Sequence, residues 1–254
     1  MQVVPIPLRN AYDHVNYLLA CAETREAAAV DPYDVERVLG EAKARGLSVT
    51  AILNTHEHWD HAGKNAAMKA QTGAAVMAPR AAAGTLEGLD RLLVDGDAVA
   101  VGAESVTVRA VPGHTMASIA FLGEADGAPF LIAGDTLFGA GVGNCGYGGH
   151  APTLYETITM LGGLPDATRV YPGHDYLKRN LGFTLSVEPG NAAALALAER
   201  MEGKPYFTTL GEERGINSFL RLGSPGIREN LPELAEGADE RAVFLALRKR
   251  RDHW

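Results

Sequence analysis

Cysteine, long apolar runs and excess positive charge are all scarce in this sequence of 254 residues. Two cysteines, Cys21 and Cys145, cannot build a disulfide framework, so we expect a reducing, cytoplasmic environment. No segment approaches the roughly 18 uncharged apolar residues of a membrane span, and the first twenty residues lack a signal-peptide core. Asp and Glu outnumber Lys and Arg by 31 to 23, and the net charge of −8 disfavours binding to nucleic acid.

The remaining composition, with 46% hydrophobic and 21% charged residues, is that of a globular protein. Short apolar runs bounded by turn residues predict strands at 15–19, 27–30, 47–53, 74–77, 106–111, 119–122 and 130–133. Apolar residues at helical spacing predict helices that start at Asp31-Pro32 and run over 62–71, 191–201 and 239–251. We therefore predict an α/β protein with a layered domain at residues 1–175 and a helical domain at residues 176–254.

One segment is unusually rich in metal-ligand side chains. His56, His58, Asp60 and His61 follow the apolar run at 47–53, so they lie at the carboxyl end of a predicted strand. Imidazole nitrogen and carboxylate oxygen are ligands of zinc, iron and manganese. In a turn, the first two histidines can converge on one ion while Asp60 and His61 face a second. Without a cation, burying this many polar side chains together would be costly.

Three more ligand-type residues, His114, Asp135 and His174, each follow an apolar run and a glycine. One such residue alone is more often a hydrogen-bonded structural residue than a ligand, but together with the cluster they complete a set. We predict two divalent cations, with zinc expected first and iron or manganese as alternatives. One is held by His56, His58 and His114, the other by Asp60, His61 and His174, and Asp135 bridges them.

Six segments carry a resemblance to a known family, and they lie at 53–63, 112–115, 134–138, 171–176, 187–191 and 217–221. They resemble glyoxalase II, the hydroxyacylglutathione hydrolases of the metallo-β-lactamase superfamily. The resemblance implies an αβ/βα sandwich with a dinuclear metal site and a C-terminal helical domain. It also implies that a metal-bound hydroxide hydrolyses S-D-lactoylglutathione to glutathione and D-lactate. Asp60 is then both a metal ligand and the catalytic residue that orients the hydroxide.

A basic run from Arg248 to Arg251 lies in the last predicted helix, where these two arginines share a face. Such a pair can bind carboxylates, and it equally fits the preference for cations at the C-terminal end of a helix. The resemblance implies the first role, because it places Arg248 and Arg251 against the glycyl carboxylate of glutathione. It also implies that Tyr176 hydrogen-bonds glutathione.

The loop at 141–150 is the place where this sequence departs from the family pattern. The resemblance implies substrate contacts from Asn144 and Tyr147 in this loop. Many members of the family carry a basic residue where Asn144 stands. We expect this loss of a cation to weaken glutathione binding or to change the preferred thioester.

Two other functions fit the same residues. One is a different enzyme of the same fold, namely a lactonase, a β-lactamase-like hydrolase or a persulfide dioxygenase that uses one iron. The other is a metal-binding module without catalysis, which the complete ligand set disfavours. The expected partner is a small-molecule glutathione thioester, with no nucleic acid or membrane, and the expected state is a monomer or small homo-oligomer.

Overall fold

Two β-sheets face each other at the centre of the computed structural model, which describes residues 1–8, 10–201 and 206–254. The first sheet has six strands in chain order, antiparallel from β1 to β3 and parallel from β3 to β6. Its strands are β1 (Gln2–Pro7), β2 (Val15–Ala20), β3 (Glu26–Val30), β4 (Ser48–Leu53), β5 (Ala75–Pro79) and β6 (Arg91–Leu93).

The second sheet has five strands in the order β13-β10-β9-β8-β7, and only the pair β10 and β13 is parallel. Its strands are β7 (Ala98–Val101), β8 (Glu104–Ala110), β9 (Ile119–Ala125), β10 (Ala128–Gly134) and β13 (Arg169–Pro172). A short hairpin of β11 (Leu137–Phe138) and β12 (Gly141–Val142) follows β10.

Helices cover the outer faces of both sheets. Those of the first half are α1 (Val35–Ala44), α2 (Trp59–Ala62) and α3 (Asn65–Thr72). Those of the second half are α4 (Ala151–Leu161), α5 (Leu177–Val187), α6 (Ala192–Arg200), α7 (Leu210–Ile216), α8 (Pro225–Glu229) and α9 (Glu240–Asp252). Short 3₁₀ turns lie at Arg80–Ala82 and Ser218–Leu220.

Side-chain alternation along β2 shows why the layers form. Val15, Tyr17 and Leu19 point into the core between the two sheets, whereas Leu18 and Ala20 point into the core beneath α1 and α3. A strand that is apolar on both faces is typical of a sheet covered on both sides. Each fully buried apolar side chain of this size contributes about 1.5–3 kcal/mol.

The helices of the second half share a core with the outer face of the second sheet. Leu131 and Val170 of that sheet pack in one apolar cluster with Phe183 of α5 and Phe244 and Leu247 of α9. The C-terminal helices are therefore seated on the sandwich, and the layers run helix, sheet, sheet, helix. The predicted boundary between residues 175 and 176 stays a prediction.

The predicted strands are present, whereas two predicted helix boundaries were wrong. Asp31 does not start a helix: α1 begins at Val35, where the side chain of Asp34 accepts a hydrogen bond from the backbone of Arg37. Asp31 instead has a φ of +47° and turns the chain at the end of β3. The helix predicted over 62–71 is two helices, α2 and α3. Within the described residues, no helix has the length and hydrophobicity required to cross a membrane.

Candidate active site

The seven predicted metal ligands lie in four connections at one edge of the sandwich, and two of them, Asp60 and His61, are in the short helix α2. They follow β4 (His56, His58, Asp60, His61), β8 (His114), β10 (Asp135) and β13 (His174). In the first sheet β4 lies between parallel neighbours, and in the second sheet β10 and β13 are parallel. The carboxyl ends of parallel strands meet at one edge, so loops that are distant in the sequence converge there.

Buried polar side chains fold the histidine-rich turn after β4. Asn54 donates from Nδ2 to the carbonyl of His61 at 3.2 Å, and Asn65 donates to Oδ1 of Asn54 at 2.7 Å. Thr55 donates its backbone N–H and its hydroxyl to the two carboxylate oxygens of Asp31, at 2.8 and 2.7 Å. These bonds satisfy groups that would be costly to bury unpaired, and they fix the shape of the turn.

Three imidazoles form a first group, cluster 1, made of His56, His58 and His114. One ring nitrogen of each lies within 4.8 Å of the others. Nδ1 of His58 is 3.1 Å from Nε2 of His56 and 3.2 Å from Nε2 of His114. Zinc–nitrogen bonds of about 2.0–2.1 Å place tetrahedral ligands roughly 3.3 Å apart, which matches these separations.

A second group, cluster 2, contains Asp60, His61 and His174, together with His14, which was not predicted. Their ligand atoms also lie within 4.8 Å of one another. Oδ2 of Asp60 is 3.8 Å from Nε2 of His61 and 3.8 Å from Nε2 of His174, and the two ring nitrogens are 3.3 Å apart. Nε2 of His14 lies 3.0 Å from the same Asp60 oxygen.

Asp135 lies between the two clusters, as a bridging ligand would. Its Oδ1 is 3.4 Å from Nε2 of His61, and its Oδ2 is 3.2 Å from Nε2 of His174 and 3.6 Å from Nε2 of His114. Oδ1 of this buried carboxylate has no hydrogen-bond partner among the described residues. A buried carboxylate oxygen without a partner is costly unless a cation faces it.

The ring nitrogen that points away from the clusters is hydrogen-bonded in all five predicted histidines, and each partner is an oxygen. The pairs are His56 Nδ1 with Thr55 Oγ1, His58 Nε2 with the carbonyl of Tyr147, His61 Nδ1 with Asp31 Oδ2, His114 Nδ1 with the carbonyl of Asn144, and His174 Nδ1 with the carbonyl of Tyr12. Since each outer nitrogen donates to oxygen, each inner nitrogen of a neutral ring carries a lone pair.

The charges in this site favour a cation. Burial, followed by repulsion from His61, lowers the pKa of His56 well below its usual value, so this ring is neutral. Burial also disfavours a charged His61, but the carboxylates of Asp135 and Asp31 outweigh it and raise the pKa of His61 well above its usual value. Burial opposes ionisation of Asp135, yet His174 and His61 hold its pKa well below its usual range.

The residues present therefore fit two metal ions. In the neutral form of these rings the inner nitrogens carry lone pairs that repel one another at 3.1–3.3 Å, and only a cation or a proton between them removes the repulsion. Oδ1 of Asp135, which lacks a hydrogen-bond partner among the residues that the structure describes, lies 3.4 Å from the inner nitrogen of His61. Nitrogen and carboxylate donors in this number are the set that zinc, iron and manganese accept.

A cavity of about 770 Å³ opens beside the clusters, and all five predicted substrate residues line it. Its lining includes Asn144, Tyr147, Tyr176, Arg248 and Arg251, with Phe138, Arg179, Asn180 and Trp254 among the others. The cavity adjoins the clusters directly. The ring of Tyr176 stacks on that of His174 at 4.9 Å, and the carbonyls of Asn144 and Tyr147 accept hydrogen bonds from His114 and His58.

The guanidinium group of Arg248 is less available to a substrate than its position in the sequence indicates. Its side chain is buried, and Nη1 donates to the carbonyls of Val142 and Gly143 at 3.0 Å each. Nε and Nη2 donate to Oδ1 of Asp252 at 3.1 and 2.8 Å. The two bonds from Nη1 connect α9 to the end of β12 and to the residue that follows it. Contact of Arg248 with a substrate stays a prediction.

Arg251 and Arg179 are the more accessible cations of the cavity. Arg251 donates to Oδ1 of Asn180 at 3.2 Å and packs over the ring of Trp254. Burial and then the nearby Arg179 lower the pKa of Arg251 to about 10, so it remains charged at neutral pH. The side chain of Arg179 is exposed, and it makes no hydrogen bond or ion pair within the described part of the chain. The sequence prediction missed Arg179, although it lies three residues after Tyr176 and so shares its helix face.

Two other residues of the site were missed. Asp31 precedes Pro32, and this pair indicated the start of a helix. In the structure the carboxylate of Asp31 instead accepts hydrogen bonds from Thr55 and His61. His14 lies in no ligand motif. Its place beside Asp60 follows from the pairing of its backbone with that of His174, which no local pattern predicts.

Comparisons with known proteins agree with this architecture. A profile of the metallo-beta-lactamase superfamily matches residues 20–174, so the fold and the site define a protein of that superfamily. A second profile, the hydroxyacylglutathione hydrolase C-terminus, matches residues 175–254. A hydroxyacylglutathione hydrolase from a Polaromonas species is 46% identical, and the alignment covers 96% of this chain and 97% of that relative. This chain belongs to the hydroxyacylglutathione hydrolase family.

Solved structures show the same fold. The crystal structure of ETHE1 from Myxococcus xanthus is 26% identical, with a TM-score of 0.68 over 99% of this chain and 98% of that chain. TTHA1623, solved in a di-iron-bound form, is 26% identical, with a TM-score of 0.63 over 86% of this chain and 100% of that chain. The predicted fold class and family are therefore confirmed, while the roles of individual residues stay predictions.

Proposed function

We propose that this chain hydrolyses S-D-lactoylglutathione to glutathione and D-lactate. The observation that carries the proposal is the position of the cavity, which has cations on one wall and two groups of metal-ligand side chains at its end. Its volume of about 770 Å³ lies within the range of small-molecule sites. Membership of the hydroxyacylglutathione hydrolase family supports this substrate class.

Two divalent cations would be held by cluster 1, by Asp135 and by three residues of cluster 2, namely Asp60, His61 and His174. When bound, they supply Lewis acidity to the thioester carbonyl and lower the pKa of the attacking water. The chain's own task is to fix the ligands, since each predicted histidine is held by a hydrogen bond on its outer nitrogen. Partners of this kind set the tautomer and the orientation of a ligand ring.

Asp60 orients the attacking water in this proposal. Burial opposes ionisation of its carboxyl group, but the hydrogen bond from His14 and the neighbouring His61 hold its pKa at about 2. The group is therefore a carboxylate at neutral pH. Its Oδ2 faces His14, and within the described residues its Oδ1 accepts no hydrogen bond, which leaves that oxygen available to a water molecule.

Tyr176 and the two accessible arginines would bind the glutathione part of the substrate. Burial and the nearby carboxylates of Asp135 and Asp60 raise the pKa of Tyr176 to about 12, so its phenol stays protonated and donates a hydrogen bond. Arg251 and Arg179 supply positive charge for the carboxylates. Arg179 would compensate for the absence of a cation at Asn144. The leaving thiolate needs no strong general acid, because a free thiol has a pKa of about 8.5.

The test is the release of free thiol from S-D-lactoylglutathione, followed with a thiol reagent. We expect turnover by the metal-loaded chain and loss of turnover in Asp60→Ala. Asp90→Ala is a matched control, because Asp90 is a carboxylate that pairs with Lys69 on the surface. It should retain the wild-type rate. Absence of thiol release by the wild type, or full activity of Asp60→Ala, contradicts the proposal.

Oxidation of a glutathione persulfide by dioxygen, at a site holding a single iron, is a second candidate, because the same cavity would accept its glutathione part. That reaction consumes dioxygen, whereas thioester hydrolysis does not. Turnover that is equal in air and under anaerobic conditions, with two metal equivalents per chain, supports the hydrolase. A lactone included in the same substrate panel separates thioesterase from lactonase activity.

We further propose zinc as the metal, with iron or manganese as alternatives set by availability. The di-iron form of TTHA1623 makes iron a specific alternative to test by metal analysis. The two free cysteines, one buried and one partly buried, are compatible with a reducing, cytoplasmic environment. We propose a monomer or a small homo-oligomer, which sedimentation analysis would distinguish.

A further inference from the structure

His14 occupies a place in the active site that no sequence pattern assigns. It lies just before β2, its backbone pairs with that of His174, and its ring is 1% exposed. Nε2 of its ring is 3.0 Å from Oδ2 of Asp60. One ring nitrogen of His14 lies within 4.8 Å of the ligand atoms of His61 and His174.

The ring of His14 is held in a fixed orientation by its neighbours. It stacks on Tyr33, with ring centroids 4.6 Å apart and an angle of 15° between the planes. On another side it packs against His174, with centroids 4.4 Å apart. A buried ring with aromatic contacts on more than one side has little freedom to rotate, so the direction of Nε2 is set by the fold.

The hydrogen bonds of Asn10 determine which nitrogen of His14 carries the proton. Oδ1 of Asn10 accepts from the backbone N–H of Tyr12 at 3.1 Å and from that of His14 at 3.4 Å. Nδ2 of Asn10 is therefore the amide atom that faces Nδ1 of His14, at 3.0 Å, while Oδ1 is farther away at 3.4 Å. Nδ1 accepts this bond, so the ring proton is on Nε2.

The ring proton of His14 is therefore on the inner nitrogen, whereas in the five predicted ligand histidines it is on the outer nitrogen. Each of those rings has an oxygen acceptor at its outer nitrogen, so its inner nitrogen has a lone pair for a metal. His14 has an amide donor at its outer nitrogen, so its inner nitrogen has a hydrogen to give. That hydrogen points at Oδ2 of Asp60.

We propose that His14 is a positioning residue, whose Nε2–H holds the carboxylate of Asp60 in the orientation that binds the cation of cluster 2. The inference rests on the proposed metal set. A carboxylate that binds a metal through one oxygen can rotate about its Cβ–Cγ bond, and a hydrogen bond to that oxygen restricts the rotation. Outer partners of this kind typically tune metal affinity by about 10- to 100-fold.

Two variants separate the donor from the ring. His14→Phe keeps an aromatic ring for the stack on Tyr33 but has no N–H, whereas His14→Gln keeps a donor near the position of Nε2. The measurement is the dissociation constant of each of two zinc ions, obtained by competition with a chelator. We expect His14→Phe to weaken one ion by about 10- to 100-fold and leave the other unchanged. We expect His14→Gln to recover most of the loss.

Kinetics give a second readout. Because His14 does not line the cavity, His14→Phe should lower kcat for S-D-lactoylglutathione and leave KM within about twofold, the range of a change that removes no substrate contact. His150→Phe is the control, since His150 is an exposed histidine whose ring is bonded to Thr153. It should change neither zinc constant. Circular dichroism and thermal melting check that each variant is folded.

Three outcomes overturn the inference. If His14→Phe holds both zinc ions as tightly as the wild type, the hydrogen bond does not position Asp60. If His14→Gln is as weak as His14→Phe, and cobalt-loaded protein shows an altered ligand-field spectrum in both, the ring itself binds the metal. A wild-type chain that binds fewer than two ions would instead reject the proposed metal set, and this inference with it.

Discussion

The metal-ligand edge and the wall of the cavity are neighbours, yet they are built differently. In clusters 1 and 2 most side chains are buried, and each predicted histidine is fixed at its outer nitrogen. In the cavity Arg179 is exposed and Arg251 donates one hydrogen bond. This difference agrees with the proposed roles, in which the metal ligands are held in one geometry and the substrate is bound by long side chains that can adjust.

The largest expected effect is the loss of a ligand. His58→Ala removes the nitrogen that lies closest to both other members of cluster 1. We expect turnover to fall by more than about 100-fold, because the loss of a partner outside the ligand set already typically costs about 10- to 100-fold and a ligand contributes more. The measurement is the initial rate together with the number of metal equivalents per chain. His150→Ala is the control, and activity of His58→Ala above a tenth of the wild type would remove His58 from the set.

A smaller loss is expected from Asp31, which supports the site without belonging to the predicted set. Asp31→Asn can still accept the backbone N–H of Thr55, but an amide group in place of Oδ2 cannot accept the hydrogen from His61. We expect about 10- to 100-fold weaker binding of the cation of cluster 2. Asp34→Asn, in the same loop, should have no effect, because asparagine caps a helix as well as aspartate. Equal metal affinity in both variants would contradict this role.

A change on the cavity wall should affect substrate binding and leave the chemical step intact. Arg179→Ala and Arg251→Ala should each raise KM for S-D-lactoylglutathione by roughly tenfold, with kcat nearly unchanged, because a hydrogen bond to a charged group contributes about 1.5–3 kcal/mol. Arg250→Ala is a control on the same helix as Arg251, because Arg250 bonds Asn230 and Glu233. If Arg179→Ala leaves KM unchanged, the compensation proposed for Asn144 is wrong.

The smallest effect on turnover is expected at Glu213, which belongs to neither the clusters nor the lining of the cavity. Its buried carboxyl group accepts the backbone N–H of Ala140 in the hairpin of β11 and β12, and the side chain of Asn217. Burial raises its pKa from 4.5 to about 7, so the folded state binds a proton that the unfolded state releases between these pH values.

The raised pKa of Glu213 makes the stability of the protein fall as the pH rises. A raised folded-state pKa stabilises the protein below pH 4.5, and the contribution is lost as the pH rises to about 7; at most it is about 3 kcal/mol. Glu213→Gln should therefore reduce the change in the free energy of unfolding between pH 5 and 7, measured by urea denaturation. The kcat of this variant should stay within about twofold of the wild-type value. An unchanged pH dependence would show that Glu213 ionises normally.

The sequence predicted most of the metal edge because the signal is local. Four ligand-type residues within 56–61, directly after an apolar strand, indicate a metal site without any knowledge of the rest of the chain. His114, Asp135 and His174 each follow a strand, and the convergence of strand ends at one edge explains why they meet. The strand patterns also indicated the α/β class correctly.

Local sequence patterns gave wrong or incomplete predictions where a side chain can bond either to a neighbour in the sequence or to a distant residue. Asp31 before Pro32 is a normal helix start, but its carboxylate bonds Thr55 and His61, and α1 begins four residues later. Arg248 and Arg251 share a helix face as predicted. Whether each faces a substrate or the backbone depends on the loop packed against α9.

By itself the sequence determined the family and the layered α/β class, and it predicted the residues that would hold two cations, because these depend on residue types at short spacing. Only the tertiary structure decided that His14 faces Asp60, that Arg179 lines the cavity and that Arg248 is committed to the carbonyls of Val142 and Gly143. Each of these facts is a hydrogen bond or a contact between elements that are distant along the chain. Their distances depend on how the sheets and helices pack, and the order of residues within one element does not encode that packing.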